Sequence, residues 1–389
     1  MLIRARWVVP VEPAGVVLER HGVLVRNGVI QGIVPWNEAP AGEDEVALED
    51  HVLLPGLVNA HTHAASVLRR GLGDDLAAAP DARAVREGTL LACAEMLRGG
   101  ITCYADAFDF PEASLEAAAA AGMRCSQGLL VKETPSGYAA DAADYLRKGL
   151  EARDRMRDAP RTSFGFVPHD VSDATLRQVA TLAAELDLPV RAALKPGELQ
   201  RLLRAQVLGP GATLAYASEV AASEVAVLAR HGCSLAYCPS AELRQGKGRP
   251  PLEALVGAGV NLALGTGGAA TNHRLDLLHE MRLAGLAPHD ALRAATLGGA
   301  QALGIERITG SLGPGKAADL VAIDMSGPEL APRHDAVTQL VNSADRQHVT
   351  HVWVGGQALL SERRPQNALF PPLETPRNLW QNSQLRAGS

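Results

Sequence analysis

The chain has no CxxC pair, no apolar run long enough to cross a bilayer, and no clustering of its basic residues. Each absence excludes something. The five cysteines, Cys93, Cys103, Cys125, Cys233 and Cys238, are odd in number and stand clear of any structural-zinc spacing, which fits reduced thiols in a cytoplasmic protein. A spanning helix needs about 20 consecutive apolar residues, and none is found. The opening MLIRARWVVPVEP places proline and glutamate where a secretory leader would stay apolar, so the expected location is the cytoplasm, with no membrane partner. With 37 Lys and Arg scattered against 43 Asp and Glu, the formal net charge of -6 offers no footprint for nucleic acid. What is present is ordinary globular material: 389 residues, 47% hydrophobic and 21% charged, enough for one large core and a smaller one.

Residues 1–55 read as short strands with turn signals, ARWVVPV, GVLVRNGVIQGIVP and VALEDHVLLPG, with Asn27-Gly28 in a hairpin position. The far end has the same character in KAADLVAID and HVTHVWVGGQALL, the second turning at Gly355-Gly356, followed by the proline-rich PPLETPRN. Neither end holds enough strands to close a core alone. The economical expectation is one small β-sandwich domain assembled from residues 1–55 and 305–389. Between them, strands alternate with Ala- and Leu-rich helices in about eight units, which predicts an α/β fold of the (β/α)8 TIM-barrel type over residues 56–304, close to the roughly 250 residues typical of such barrels.

In that architecture chemistry sits at the C-terminal ends of the strands. NAHTHAA follows the apolar run HVLLPGLV, so the period of two along a strand points His61 and His63 to one side, where two imidazoles could grip one metal ion. Walking the remaining strand ends gives Asp106, Lys132, His169, Lys195, Tyr216, Cys238 and Gly267. That rim is polar, but it holds three histidines and one carboxylate.

PGLVNAHTHAA, LAYCPSAEL, GVNLALGTGGAATN and GSLGPGKAADLVAID together resemble the amidohydrolase superfamily, and within it the branch of chlorohydrolases and of adenosine, methylthioadenosine or S-adenosylhomocysteine deaminases. The resemblance runs nearly end to end. It implies a mononuclear zinc or iron site that activates water to displace an amino or chloro group from a purine-like ring. The paired histidines, a histidine after the fifth strand and an aspartate after the eighth would hold the metal. A glutamate three residues past the third ligand would move the proton, and a histidine after the sixth strand would polarise water or substrate.

This chain departs from that pattern at four places. In LPVRAALKPGELQ, Ala193 stands at the metal histidine and Pro196 at the catalytic glutamate; Tyr216 replaces the sixth-strand histidine and Gly267 the aspartate. Slipping the register brings only Glu198 toward the glutamate's place. Two imidazoles make a weak zinc site without a general base. The segments after GLGDD, after the fifth strand and around LAGLAPHDALRA are also short for that branch, and those loops carry its substrate contacts.

The surviving candidates each have a functional and a plain reading. His61 and His63 are a vestigial metal pair, either holding zinc weakly or simply packing at the barrel mouth. Lys195, Tyr216 and His169 are the candidate catalytic groups: Lys195 as a base or Schiff-base nucleophile or else a solvated turn residue, Tyr216 as a hydrogen-bond donor or space filler, and His169 as a substrate contact or rim residue. Asp106, His169, Gly267 and His273 are candidate pocket residues, with Gly267 opening space near the former metal position. Cys103 and Cys238 read as buried apolar residues rather than nucleophiles. Three functions follow: a repurposed small-molecule enzyme working without a metal cofactor, a pseudoenzyme that binds a ligand or pairs with an active relative, or an aminohydrolase with an unconventional site. The expected partner is a small molecule, and the expected assembly a homodimer.

Overall fold

Both termini feed one sheet in the computed structural model, which describes residues 1–40, 42–71 and 80–366. The strands of the leading segment are β1 (Leu2–Val8), β2 (Leu18–Arg26), β3 (Val29–Pro35) and β4 (Glu45–Pro55). Eight more build the barrel: β5 (Leu57–Thr62), β6 (Ile101–Ala107), β7 (Arg124–Val131), β8 (Thr162–Pro168), β9 (Arg191–Ala193), β10 (Thr213–Ala215), β11 (Ser234–Tyr237) and β12 (Asn261–Leu264). The closing segment returns with β13 (Leu320–Asp324), β14 (Val349–Val354), β15 (Gln357–Ser361) and β16 (Arg364–Pro365). Residues 72–79, which take in most of GLGDD and the start of the segment after it, and the proline-rich tail lie outside the described residues. No helix among the described residues is long and apolar enough to cross a membrane.

The terminal strands hydrogen-bond in the order β16-β15-β14-β13-β4-β1-β2-β3, so β4 and β13 form the seam between the two ends of the chain. Alternation along that seam explains why the domain is held on both faces. Leu53, Leu320 and Ala322 pack with Ile3, Val23 and Trp353 in the domain's own core, whereas Val52, Leu54, Val321 and Ile323 belong to the large core shared with the barrel. Asn27-Gly28 is a turn as the sequence predicts, and it meets the second predicted turn. A Cβ on Gly28 would lie 2.4 Å from the Gly355 carbonyl oxygen, so only glycine lets the N-terminal and C-terminal hairpins touch.

The barrel strands run parallel in two sets of four, β5-β6-β7-β8 and β9-β10-β11-β12. Parallel bridges Phe166↔Val190 and Thr62↔Gly267 join the sets at both seams and close the ring. This is the predicted (β/α)8 barrel with its composite β domain. Intervening helices start where local chemistry dictates: Asp81 accepts from the Ala84 amide, Ser172 accepts from the Thr175 amide, and Pro111 opens the first turn of Pro111–Ala121. The fifth strand is shorter than its apolar run suggests, covering Arg191–Ala193 alone. Lys195 therefore lies beyond the strand, in the turn through Pro196 and Gly197.

Candidate binding site at the barrel mouth

A dense hydrogen-bond seam fixes the two histidines. Buried Asn59 donates to Thr266 Oγ1 at 2.8 Å and accepts from the Thr266 amide at 3.1 Å, and Thr62 donates to the Gly267 carbonyl at 3.0 Å. The amides of Thr266 and Gly267 both donate to the His61 carbonyl at 3.0 Å. Strand β5 and the loop after β12 are thus one rigid unit. His61 and His63 sit with their rings edge to face, centroids 5.1 Å apart, and the Tyr216 ring approaches His61 the same way at 5.3 Å. His63 Nδ1 lies 3.0 Å from the Ala107 carbonyl, a contact that favours the tautomer with the proton on Nδ1. Burial, reinforced by the positive charge available to His63 and Arg191, pushes the His61 pKa down to about 3, so this imidazole is neutral.

These groups line a cavity of about 90 Å³. Its other polar lining groups include Asp106, His169 and Arg191, set among alanines. Asp106 accepts from the Ala64 amide at 2.9 Å through Oδ1. Burial raises its carboxyl above the ordinary range, against the pull of that amide and of His63. Arg191 is the group that strand-end reasoning missed. It opens β9, is 93% buried on its 7% exposure, and donates from Nη1 to the Ser126 carbonyl at 2.9 Å. Burial lowers its pKa to about 10, which still leaves it cationic at neutral pH. Arg191 Nε and Nη2, Asp106 Oδ2 and His61 Nε2 are buried without a hydrogen-bond partner among the described residues. Such groups cost free energy unless a ligand or solvent meets them.

The remaining candidates divide sharply. His169 and Tyr216 line the same cavity. Burial lowers the His169 pKa, against the raising effect of Asp170, whose Oδ2 lies 3.5 Å from Nε2. Tyr216 takes a left-handed backbone at φ 69° beneath the Lys247 ammonium, 5.0 Å from its ring, and burial raises its phenol. Lys195 does not join them: it is half-exposed, ion-pairs with Asp170 and is not part of the cavity lining. His273 is exposed on the eighth-strand loop and also lies outside the lining. Glu198 is turned to Arg201, 3.1 Å away. Gly267, expected to open space in the pocket, also lies outside the lining. A Cβ there would face Ala241 and Thr271, and its φ of +66° disfavours any other residue. The neighbouring Gly268 is the one whose Cβ would crowd His63, at 3.0 Å.

Behind the rim, carboxylates serve the scaffold. Glu242, fully buried, accepts from the Cys238 amide at 2.8 Å and the Ser218 amide at 2.7 Å, tying the ends of β10 and β11 together. Glu280 accepts from the Ser240 amide and Asn272 Nδ2, both at 2.9 Å, and burial raises its pKa to about 7. The five cysteines are buried and free, and burial pushes the Cys103 thiol up to about 12.

A closed (β/α)8 barrel with a composite β domain and a histidine-lined cavity at its mouth defines a class of barrel enzymes. Residues 52–359 match the model of the amidohydrolase family, and the chain belongs to that family. It is 34% identical to a 5-methylthioadenosine/S-adenosylhomocysteine deaminase of Saccharophagus degradans, over 98% of this chain and 96% of that protein. It is 35% identical to a deaminase of the same description from Teredinibacter turnerae, over 92% of each chain. The crystal structure of an adenosine deaminase from Xanthomonas campestris with bound zinc superposes with a TM-score of 0.90 at 36% identity, covering 94% of this chain and 93% of that one.

The residues present here do not fit such a metal. A tetrahedral zinc centre takes three or four nitrogen, sulfur or carboxylate donors. Among the described residues no three His, Cys, Asp or Glu side chains gather to hold an ion. Ala193 lines the cavity, and Arg191 is part of the same lining as the histidine pair.

Proposed function

We infer that this amidohydrolase-family chain binds a small molecule at its barrel mouth and does not carry out the metal-dependent deamination of its relatives. The observation that supports this reading most is the presence of Arg191 in the cavity of His61 and His63. A fixed positive charge there opposes a divalent cation and favours an anionic or electron-rich ligand. The volume argues the same way, since about 90 Å³ is well below the roughly 300–1,000 Å³ of pockets that enclose whole drug-sized ligands. It suits one end of a molecule.

The test is turnover with adenosine, 5-methylthioadenosine and S-adenosylhomocysteine, with zinc added. The expected result is no ammonia release above buffer. Release that disappears in His61→Ala contradicts the reading.

One observation favours a second reading, metal-independent catalysis. His169 lines the cavity with its pKa lowered by burial, so its neutral imidazole can accept a proton near pH 7. Under that reading His169→Gln lowers kcat by about 100-fold or more in whatever reaction profiling finds, within the range for one general acid or base. Lys195→Ala leaves that reaction unchanged.

A further inference from the structure

A second cleft, of about 360 Å³, lies between the helix Ala82–Arg98 and strands β14 and β15 of the composite domain, and it shares no lining residue with the barrel mouth. Its charged lining is four arginines, Arg70, Arg98, Arg346 and Arg363, against one carboxylate, Glu95, a local excess of three positive charges on a chain whose net charge is -6. Glu95 is already committed. Its Oε2 meets Arg70 Nη2 at 2.5 Å, while Oε1 meets Arg346 Nη1 at 3.3 Å and accepts from the Leu275 amide at 3.1 Å. The carboxylate thus holds two guanidiniums side by side and leaves two more uncompensated. Arg98 and Arg363 make no side-chain hydrogen bond or ion pair among the described residues. These cations reach solvent: the Arg346 side chain is 42% exposed, and Arg98 and Arg363 are exposed residues. Asp345 and Glu362, next in sequence to two of the arginines, are not part of the lining, and Asp345 is engaged by His348 Nδ1 at 3.2 Å and the Gln347 amide at 2.9 Å. Local folding does not account for Arg363. Glu362 and Arg363 turn β15 into β16 with φ of 48° and 65°, two left-handed positions that asparagine and glycine suit better. The Arg363 amide donates to the Thr350 carbonyl at 2.9 Å, which fixes that turn beside β14.

We propose that this cleft binds an anion carrying two or more adjacent phosphoryl groups, as free oligophosphate or as the phosphate chain of a nucleotide. Each phosphoryl group offers three acceptor oxygens, so one group can meet two guanidiniums at once, whereas a carboxylate is matched by a single fork. Adjacent phosphoryl groups therefore suit arginines that come from different elements: Arg98 from the end of a barrel helix, Arg346 from the turn before β14, and Arg363 from the turn after β15. The cleft volume falls within the roughly 300–1,000 Å³ of small-molecule sites. Because barrel and composite domain both contribute arginines, the ligand would bridge the two. The proposal is independent of whatever the barrel mouth holds.

The experiment is calorimetric titration of the full-length chain with pyrophosphate, phosphate, ADP and citrate, without divalent cations and at constant ionic strength. Pyrophosphate is expected to bind saturably, one per chain, about tenfold or more tighter than phosphate, and to weaken as ionic strength rises from about 50 to 200 mM. Removing the two unpaired guanidiniums in the double variant Arg98→Ala/Arg363→Ala raises the pyrophosphate Kd about tenfold or more. Arg177→Ala, which removes one exposed positive charge from a helix outside the cleft, leaves the Kd unchanged. ADP binding tighter than pyrophosphate assigns the site to a nucleotide, and the reverse order assigns it to free oligophosphate; both orders support the proposal. No saturable pyrophosphate binding, an unchanged Kd in the double variant, equal weakening in Arg177→Ala, or citrate binding as tightly as pyrophosphate each overturns it. Should the double variant not fold, Arg363→Glu alone is expected to weaken pyrophosphate binding about tenfold or more, and an unchanged Kd there overturns the proposal equally.

Discussion

The joint between barrel and β domain and the barrel mouth each bury an arginine, and they treat it in opposite ways. At the joint, Arg124 meets Asp319 through a two-point ion pair, and the Gly355 amide adds a third bond to the same carboxylate at 2.7 Å. Both oxygens of Asp319 and the Nε and Nη2 of Arg124 are partnered there, and the cluster ties β7 to the sheet built from both termini. At the mouth, Arg191, Asp106 and His61 each keep at least one buried polar atom without a protein partner among the described residues. The difference separates a region that holds the fold from one prepared to hold something else. Unpartnered buried groups also occur elsewhere, at His51 and at Arg70 Nε for instance, so it is their gathering around one cavity that makes the mouth a candidate site.

Breaking the joint has the largest expected effect. Asp319→Ala leaves Arg124 buried and unpaired, and should cost about 3–5 kcal/mol in urea unfolding, the usual penalty for stranding one member of a buried pair. A loss below about 1 kcal/mol would mean that the two regions do not differ as described.

Glu280 tests an intermediate case, a buried carboxyl met by neutral donors. Its folded pKa of about 7 exceeds the ordinary 4.5, so between those values the folded chain binds more protons than the unfolded one. Its contribution therefore favours folding at pH 5 and is lost as pH rises through 7. The difference in urea midpoint between pH 5.5 and 7.5 should shift in that direction in the parent relative to Glu280→Gln, which cannot titrate. Equal pH dependence in the two proteins would place the Glu280 pKa outside this window.

Arg191→Met should have the smallest effect on stability, within about 1 kcal/mol of the parent or on the stabilising side, because it removes a buried cation that has no carboxylate partner among the described residues. Stranding the arginine at the joint and removing the one at the mouth thus have effects of different size. Destabilisation by several kcal/mol would make Arg191 a structural group and the mouth no different from the joint.

Much of the architecture was legible because it rests on local patterns. The turn pairs Asn27-Gly28 and Gly355-Gly356, the apolar runs of β4 and β13, and the strand–helix alternation all follow from periodicity and turn chemistry. His61, His63, Asp106, His169 and Tyr216 were also found by reading strand ends, and all five line one cavity. Lys195 escaped that logic because β9 stops at Ala193, and the following turn carries its ammonium to Asp170. Arg191 escaped for the complementary reason. It stands at the start of a strand so short that its long side chain still reaches the cavity, and a charge inside LPVRAAL was the available signal. At Gly267 the sequence shows a missing carboxylate, but only backbone geometry shows that Gly268 is the residue against His63.

The most direct test of the central claim is zinc content per chain, measured on protein expressed in zinc-supplemented medium and purified without chelator. The account predicts far less than one zinc per chain, unchanged by His61→Ala. One tightly held zinc per chain, lost in His61→Ala, would contradict it.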